Sequence, residues 1–293
     1  MLITICTPTF NRSSYLHRIH RCLEEQTFRD FEWIIVDDGS TDETSMVFEE
    51  IRDICTYELK YLRKDNGGKH TAINLGVKVA RGELFLILDS DDSLSVNSLK
   101  VISEYYNKCK DRDDCAGVCG IMSNHNGKII GSGFPHDILY ENSLSLRYYY
   151  RVSGDLLEIF KTSVMKEFPF PEIHGEKFCP EVLVWNRMAS KYKLYCFNEV
   201  VYFRDYLVGG LTDKIITIRM KSPIASMMTY QEMTLYDIPL LQKMKAATNY
   251  WRFRLCTPKK DVPKIKWYWW VCKPLGWLMH VRDLSKTSSN RIK

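Results

Sequence analysis

Leu84-Phe85-Leu86-Ile87-Leu88-Asp89-Ser90-Asp91-Asp92 is the stretch on which the fold turns. Its apolar residues run without alternation and stop at a cluster of carboxylates. Such a run reads as a strand buried on both faces, the kind found in a parallel sheet covered by helices. Toward the N-terminus the same figure recurs. Phe31–Val36 ends in Asp37-Asp38-Gly39-Ser40, Leu2–Thr7 ends at Pro8, and Tyr57–Leu62 is followed by Asp65-Asn66-Gly67-Gly68. Between these runs, Ser13–Gln26, Asp42–Ile54 and Thr71–Ala80 space their apolar groups as helices do. Ser13 or Ser14 is placed to cap the first of them. All the polar clusters follow strands. They therefore gather at the carboxyl edge of the sheet, where open α/β folds bind ligands.

Toward the C-terminus the pattern loosens. Ala116–Met122 reads as a further strand, Asn124–Asp137 and Glu167–Pro180 as loops, Glu181–Lys191 as a helix and Leu194–Arg204 as a strand. Leu207–Asp213, with Gly209-Gly210, reads as a mobile loop, and Ile216–Met244 as mostly helical.

The chain has 293 residues, 45% of them hydrophobic, enough for a sizeable core. Its ten cysteines are scattered and never spaced Cys-x-x-Cys, which favours buried free thiols over a disulfide framework or a zinc site. The N-terminus lacks the basic and apolar regions of a signal peptide. No run of 18 apolar residues suggests a spanning helix. The net charge of +5 conceals an asymmetry. Residues 251–293 carry 11 Lys/Arg and 2 Asp/Glu, against 30 and 34 in the rest of the chain. A basic tail on an acidic body argues against a nucleic-acid binder, which spreads its charge over a folded surface.

Three carboxylates at one strand end repel one another unless a cation or donors neutralise them. Mg²⁺ commonly takes one or two carboxylates together with substrate phosphates. The plainer alternative is an acidic turn in which Asp92 or Ser93 caps the next helix. Asp37 or Asp38 can accept from a nucleobase or ribose, or be a turn residue with Ser40 as a helix cap. Gly67-Gly68-Lys69 lets backbone N–H groups approach an anion ahead of a helix. It matches neither a dinucleotide fingerprint nor a P-loop.

Taken together, Pro8-Thr9-Phe10-Asn11-Arg12, Val36-Asp37-Asp38-Gly39-Ser40-Thr41-Asp42, Asn66-x-Gly68 with Asn74-x-Gly76, and Asp89-Ser90-Asp91-Asp92 resemble family 2 inverting glycosyltransferases of the GT-A fold. The match is in order and spacing over residues 1–100, and looser to about residue 213. The resemblance implies an α/β fold, a Rossmann-like, mostly parallel sheet covered by helices, here with a helical basic C-terminal extension. It implies a nucleotide-sugar-binding half over 1–110, an acceptor-binding half over 111–215 and the extension over 216–293. Pro8 and Phe10 would line the nucleobase pocket and Asp38 would accept from the base. Lys69 and Asn74 would contact the base or donor sugar, and Asp89 the ribose or sugar. Asp91 or Asp92 would hold Mg²⁺ or Mn²⁺, and Arg204 would face the diphosphate with the loop Gly209-Gly210-Leu211-Thr212. The family's later acidic pair falls on Pro180-Glu181, so Glu181 is the candidate catalytic base. Trp185 and Asp155 are acceptor-side candidates. The His that often completes the metal shell is absent, with Asp205 or water as a replacement.

His17 and His20 lie one turn apart but have no carboxylate at helical spacing to complete a metal site. Five of the seven tryptophans lie between Trp251 and Trp277, among lysines. Interfacial Trp beside Lys or Arg suits a segment in the lipid headgroup region. Trp267, Trp269, Trp270 and Trp277 are the expected inserting residues of 264–280; the alternative is a packing element. The expectation is a UDP-sugar or other nucleotide-sugar donor, a glycan or lipid-linked glycan acceptor, and surface polysaccharide or glycolipid assembly. It places the chain in the cytoplasm or peripherally on the inner face of the cell membrane. The alternatives are a nucleotidyltransferase using a sugar phosphate, and a non-catalytic nucleotide-sugar-binding module.

Overall fold

Strands β1 (Ile3–Thr9), β2 (Phe31–Asp37), β3 (Glu58–Arg63) and β4 (Leu84–Ile87) pair in parallel in the order β3-β2-β1-β4. Helices α1 (Ser13–Glu24), α2 (Thr44–Arg52) and α3 (Lys69–Val79) connect them. β1 and β2 are buried at every position, which is why their sequences do not alternate. β3 is partly exposed at the sheet's edge. The computed structural model describes residues 1–204 and 214–289.

The sheet continues as β4-β7-β5-β8-β6 to eight strands. Its remaining elements are α4 (Ser98–Asn107), β5 (Cys115–Ser123), β6 (Ile138–Glu141), α5 (Ser143–Tyr148), β7 (Leu156–Lys161), α6 (Thr162–Glu167), α7 (Glu181–Ala189) and β8 (Lys193–Phe203). β7 runs antiparallel to β4 and β5, and β6 runs antiparallel to β8. The mostly parallel α/β architecture expected from the sequence is present. Its core packs Trp33, Tyr106, Phe31 and Ile5 with the apolar faces of α1 and α4.

Contacts divide the chain into two compact units, residues 1–169 with 187–205 and residues 170–186 with 206–293. The division near residue 110, expected between two halves of one domain, lies within the first unit. The second unit contains α8 (Ile215–Lys221), α9 (Pro223–Met233), α10 (Leu240–Arg254), a 3-10 helix (Trp267–Cys272) and α11 (Lys273–Ser289). The long helical stretch expected over 216–244 is interrupted at Pro223 and Pro239, because proline lacks the donor that continues a helix. Met227, Ala247, Tyr250, Trp251, Phe253, Trp269 and Cys272 form this unit's core.

Several local expectations change. α1, α2 and α4 begin after Arg12, Glu43 and Asn97, so Ser13, Ser14, Ser40, Asp92 and Ser93 are not their caps. His17 pairs with Glu50 and His20 with the Tyr57 hydroxyl, so the two imidazoles serve separate contacts. All ten cysteines are free thiols and eight are buried. Among the described residues no helix is long and apolar enough to cross a membrane.

Candidate active site

From β1 the sheet grows to β2 and β3 on one side and to β4 on the other. At such a switch point the connections leave in opposite directions and open a crevice beyond the carboxyl ends of the strands. Pro8, buried, and Phe10, half-exposed, end β1 at this place. Asn11 takes a left-handed φ of 52°, which Asn tolerates better than most residues. Its Oδ1 accepts from the Thr41 N–H at 2.8 Å, and its own N–H donates to Ser40 Oγ at 2.9 Å. The turn after β1 is thereby tied to the turn after β2.

Asp38 is 4% exposed. Its Oδ1 accepts from Lys64 Nζ at 2.8 Å and the Gly67 N–H at 2.9 Å. Its Oδ2 accepts from the Gly68 N–H at 2.7 Å and Asn66 Nδ2 at 3.2 Å. A carboxylate offers about four lone-pair sites, and these four donors occupy them. Asp38 thus organises the Gly67-Gly68 turn that opens α3. Gly39 permits the approach. Its φ is +84°, and a Cβ there would lie 2.9 Å from the Asn66 nitrogen. The neighbouring Asp37 accepts from the Ser40 N–H at 2.7 Å and from the Tyr61 hydroxyl at 2.5 Å.

The acidic turn after β4 is held differently. Asp89 meets Lys69 Nζ at 2.6 Å and Arg204 at 3.8 Å. Burial alone would raise its pKa, but Lys69, Arg204 and Arg12 bring it below the ordinary value. Asp91 pairs with Arg12 at 2.6 Å, and its carbonyl accepts from Arg18. These two side chains remain 20% and 28% exposed. Asp92 is the exception, at 2% exposure. The Tyr202 hydroxyl donates to its Oδ2 at 2.7 Å and accepts from the Asp89 N–H at 3.1 Å. Burial and the neighbouring Asp89 charge push Asp92 up to about 7. Arg204 spans the group, with Asp92 at 3.8 Å and Asp155 at 3.1 Å. Burial would lower its pKa, and the three carboxylates raise it instead.

The structure therefore brings Lys69, Asp89, Asp91, Asp92, Arg204 and Asp155 into one charged cluster. Asn74 is buried on α3. Sequence reasoning did not single out Tyr202 as the clamp on Asp92, because no local signal links residues 110 positions apart. Glu181 is the first residue of α7 and lies in the second unit with Trp185, whose ring meets Phe170 edge-on at 5.7 Å. Glu176, in the same unit, is spent on the start of α9. It accepts from the Ile224 and Ala225 N–H groups at 2.7 and 2.9 Å. Asp205 and the Gly209-Gly210-Leu211-Thr212 loop lie outside the described residues.

Asp91, partly exposed and paired with Arg12, supplies oxygen donors of the kind a hard divalent cation prefers. Among the described residues no three His, Cys, Asp or Glu side chains gather as a closed cage. A divalent ion bound here would need ligands beyond these carboxylates.

A family model described as "Glycosyl transferase family 2" matches residues 4–160, more than half of the chain. The chain is 27% identical over 222 residues to glycosyltransferase GlyG of Streptococcus pneumoniae, covering 72% of each. It is 26% identical over 219 residues to the GalNAc(5)-diNAcBac-PP-undecaprenol beta-1,3-glucosyltransferase of Campylobacter jejuni, covering 72% of this chain and 67% of the relative. It is 28% identical over 181 residues to the poly(ribitol-phosphate) beta-N-acetylglucosaminyltransferase TarS of Staphylococcus aureus, spanning only 30% of TarS. The crystal structure of TarS 1–349 with UDP shares the fold at a TM-score of 0.63 and 20% identity, over 89% of this chain and 74% of that one.

Proposed function

The chain belongs to glycosyl transferase family 2, and from that premise we propose that it moves a hexosyl or N-acetylhexosaminyl group from a UDP-sugar to an acceptor hydroxyl, with inversion and with a divalent metal. One observation carries the donor half of this reading. The carboxylates after β4 are partly exposed and countered by flexible cationic side chains, Lys69, Arg12 and Arg204, which can turn toward a diphosphate. Phe10 offers a half-exposed ring face to the base. Asp38 accepts from the base once Lys64 or Asn66 yields its place. Pro8 backs the pocket, and Lys69, Asn74 and Asp89 meet the ribose or sugar. Asp91 would hold the Mg²⁺ or Mn²⁺, with Asp92, positioned by Tyr202, as its neighbour in the same turn. When bound, the metal supplies positive charge to offset the leaving diphosphate.

Glu181 acts as the base. It is the first residue of α7, on the chain stretch that holds Trp185. It takes the acceptor hydroxyl proton as that oxygen bonds to the anomeric carbon and the bond to the diphosphate breaks, releasing UDP. Trp185 and Asp155 are the acceptor-side candidates. The names of two relatives, acting on poly(ribitol-phosphate) and on an undecaprenol-linked glycan, support a surface glycopolymer or lipid-linked glycan as acceptor. A peripheral position on the inner membrane face through residues 264–280 is part of the same reading and rests on the tryptophans and lysines of that stretch.

Product analysis with a panel of UDP-sugars tests the reaction class. Metal-dependent release of UDP without pyrophosphate is expected. Pyrophosphate release would assign a nucleotidyltransferase, and no turnover with donor bound would assign a binding module.

A further inference from the structure

The 3-10 helix Trp267–Cys272 and α11 divide sharply into an inward seam and an outward face. The seam is Trp269, Cys272, Gly276 and Asp283, all buried. A Cβ on Gly276 would lie 2.6 Å from the Trp251 Cβ and 2.8 Å from the Thr248 carbonyl, so α11 lies hard against α10. Arg252 forks Asp283 through Nε at 2.5 Å and a terminal nitrogen at 2.7 Å, with both side chains nearly buried. Trp269, expected from the sequence to meet lipid, is instead a buried member of the core, and its carbonyl accepts from Trp251 Nε1 at 3.0 Å.

The opposite side is bare. Trp267 is 81% and Val271 75% exposed on the 3-10 helix, and Leu275 and Leu278 are exposed on α11. Arg282 and Lys286 continue the spacing of Leu275 and Leu278 along α11, so the exposed side of that helix begins apolar and ends cationic. Trp270, Trp277, Val281 and Leu284 widen the apolar part. Isolated soluble domains rarely leave so continuous an apolar patch uncovered. At the cationic end, Arg252, Met279, Arg282, Asp283 and Lys286 line a cleft of about 200 Å³. It holds three cations against one carboxylate, and Arg252 already neutralises that carboxylate.

We propose that this face docks on an anionic lipid bilayer, with Trp267, Val271, Leu275 and Leu278 immersed and the Arg282–Lys286 cleft holding a lipid phosphate. The proposal rests on the reading that residues 264–280 meet lipid and assigns the face and the headgroup site. Charge decides the occupant. Lys264, Lys266, Lys273, Arg282 and Lys286 are all exposed, and the acid among them, Asp283, is buried and paired. A second copy would bring the same cations against these, whereas an anionic bilayer neutralises them and takes the tryptophans at its headgroup level.

Flotation of the full chain with phosphatidylglycerol-containing vesicles and with pure phosphatidylcholine vesicles tests this. Binding is expected to the first and not the second, and to weaken with salt. Trp267→Ala with Val271→Ser, both on exposed positions, should weaken vesicle binding by roughly tenfold or more. Arg282→Gln with Lys286→Gln should weaken it by about fivefold per charge. Both variants should keep the wild-type rate of UDP release. Absence of binding by the wild-type chain, or undiminished binding by both variants, would overturn the proposal. So would a dimer in sedimentation velocity that the Trp267/Val271 variant dissociates, in a chain that ignores vesicles. Saturable binding of inorganic phosphate in calorimetry, lost in the Arg282/Lys286 variant, by a chain that does not bind vesicles would give the cleft to a free anion and overturn it too. Vesicle binding by a chain that released no UDP would support the docking face and sink the catalytic reading alone.

Discussion

At the amino edge of the sheet, Glu32 has no exposed side-chain surface. Its Oε1 accepts from Thr4 Oγ1 at 2.7 Å and the Arg81 N–H at 2.8 Å. Its Oε2 accepts from Lys60 Nζ at 2.9 Å and Arg81 Nε at 3.2 Å. Burial would raise its pKa, but these donors lower it to about 2. At the carboxyl edge, Asp89 and Asp91 are partly exposed and answered by the long side chains of Lys69, Arg204 and Arg12. Glu32 is fully buried and saturated by four donors, two of them the short Thr4 hydroxyl and the Arg81 backbone N–H that the sheet holds in place, so it fixes the scaffold. The others are held by partners that can move, so charge can be exchanged there when a ligand arrives. A buried acidic residue thus declares its role through who neutralises it more than through its burial.

The contrast breaks most sharply if the carboxyl-edge acids do the proton transfer themselves. Glu181→Gln should lower kcat by roughly 10²–10⁴ while leaving the fold and UDP affinity in place. Turnover near the wild-type rate would move the base back to the edge, with Asp155 next in line.

The amino edge gives the second effect. Glu32→Gln should cost about 3 kcal/mol of stability at pH 7, the equivalent of a pKa lowered from 4.5 to about 2. The sign follows from the lowered folded-state value. The stabilisation is complete above the unfolded pKa near 4.5 and fades as pH falls toward 2. Denaturant unfolding from pH 7 to pH 2 should show the wild type losing this increment and the variant lacking it from the start. Equal midpoints at pH 7 would remove the scaffold role.

The smallest effect sharpens the other half. Asp91→Asn should weaken UDP binding by about tenfold in Mn²⁺, as loss of one charged ligand implies. It should shift stability by less than about 1 kcal/mol, because its pair with Arg12 is partly exposed. Calorimetry with and without metal checks it. UDP affinity that ignores both the metal and the substitution would deny this edge its ligand role.

By itself the sequence determined the first four strands and three helices, because each is a local pattern. Continuous apolar runs made buried strands, helical spacing made the connections, and polar clusters at the strand ends marked the ligand edge. It also marked the residues of the charged cluster and the basic, tryptophan-rich tail. Only the tertiary structure decided which of those charges are free to act. Asp38, Asp91 and Asp92 look alike in sequence, yet Gly67 and Gly68 saturate the first, Arg12 balances the second and Tyr202 clamps the third. Tyr202 lies far along the chain from Asp92, and such pairings leave no local trace. The same holds for β7, whose short apolar run was placed between β4 and β5 by partners distant in sequence. It holds for the tail as well, where composition could not separate Trp269, buried in the core with Trp251, from Trp267, turned outward. Packing sorts residues by the face they occupy, and a face exists only once the neighbouring helix has docked.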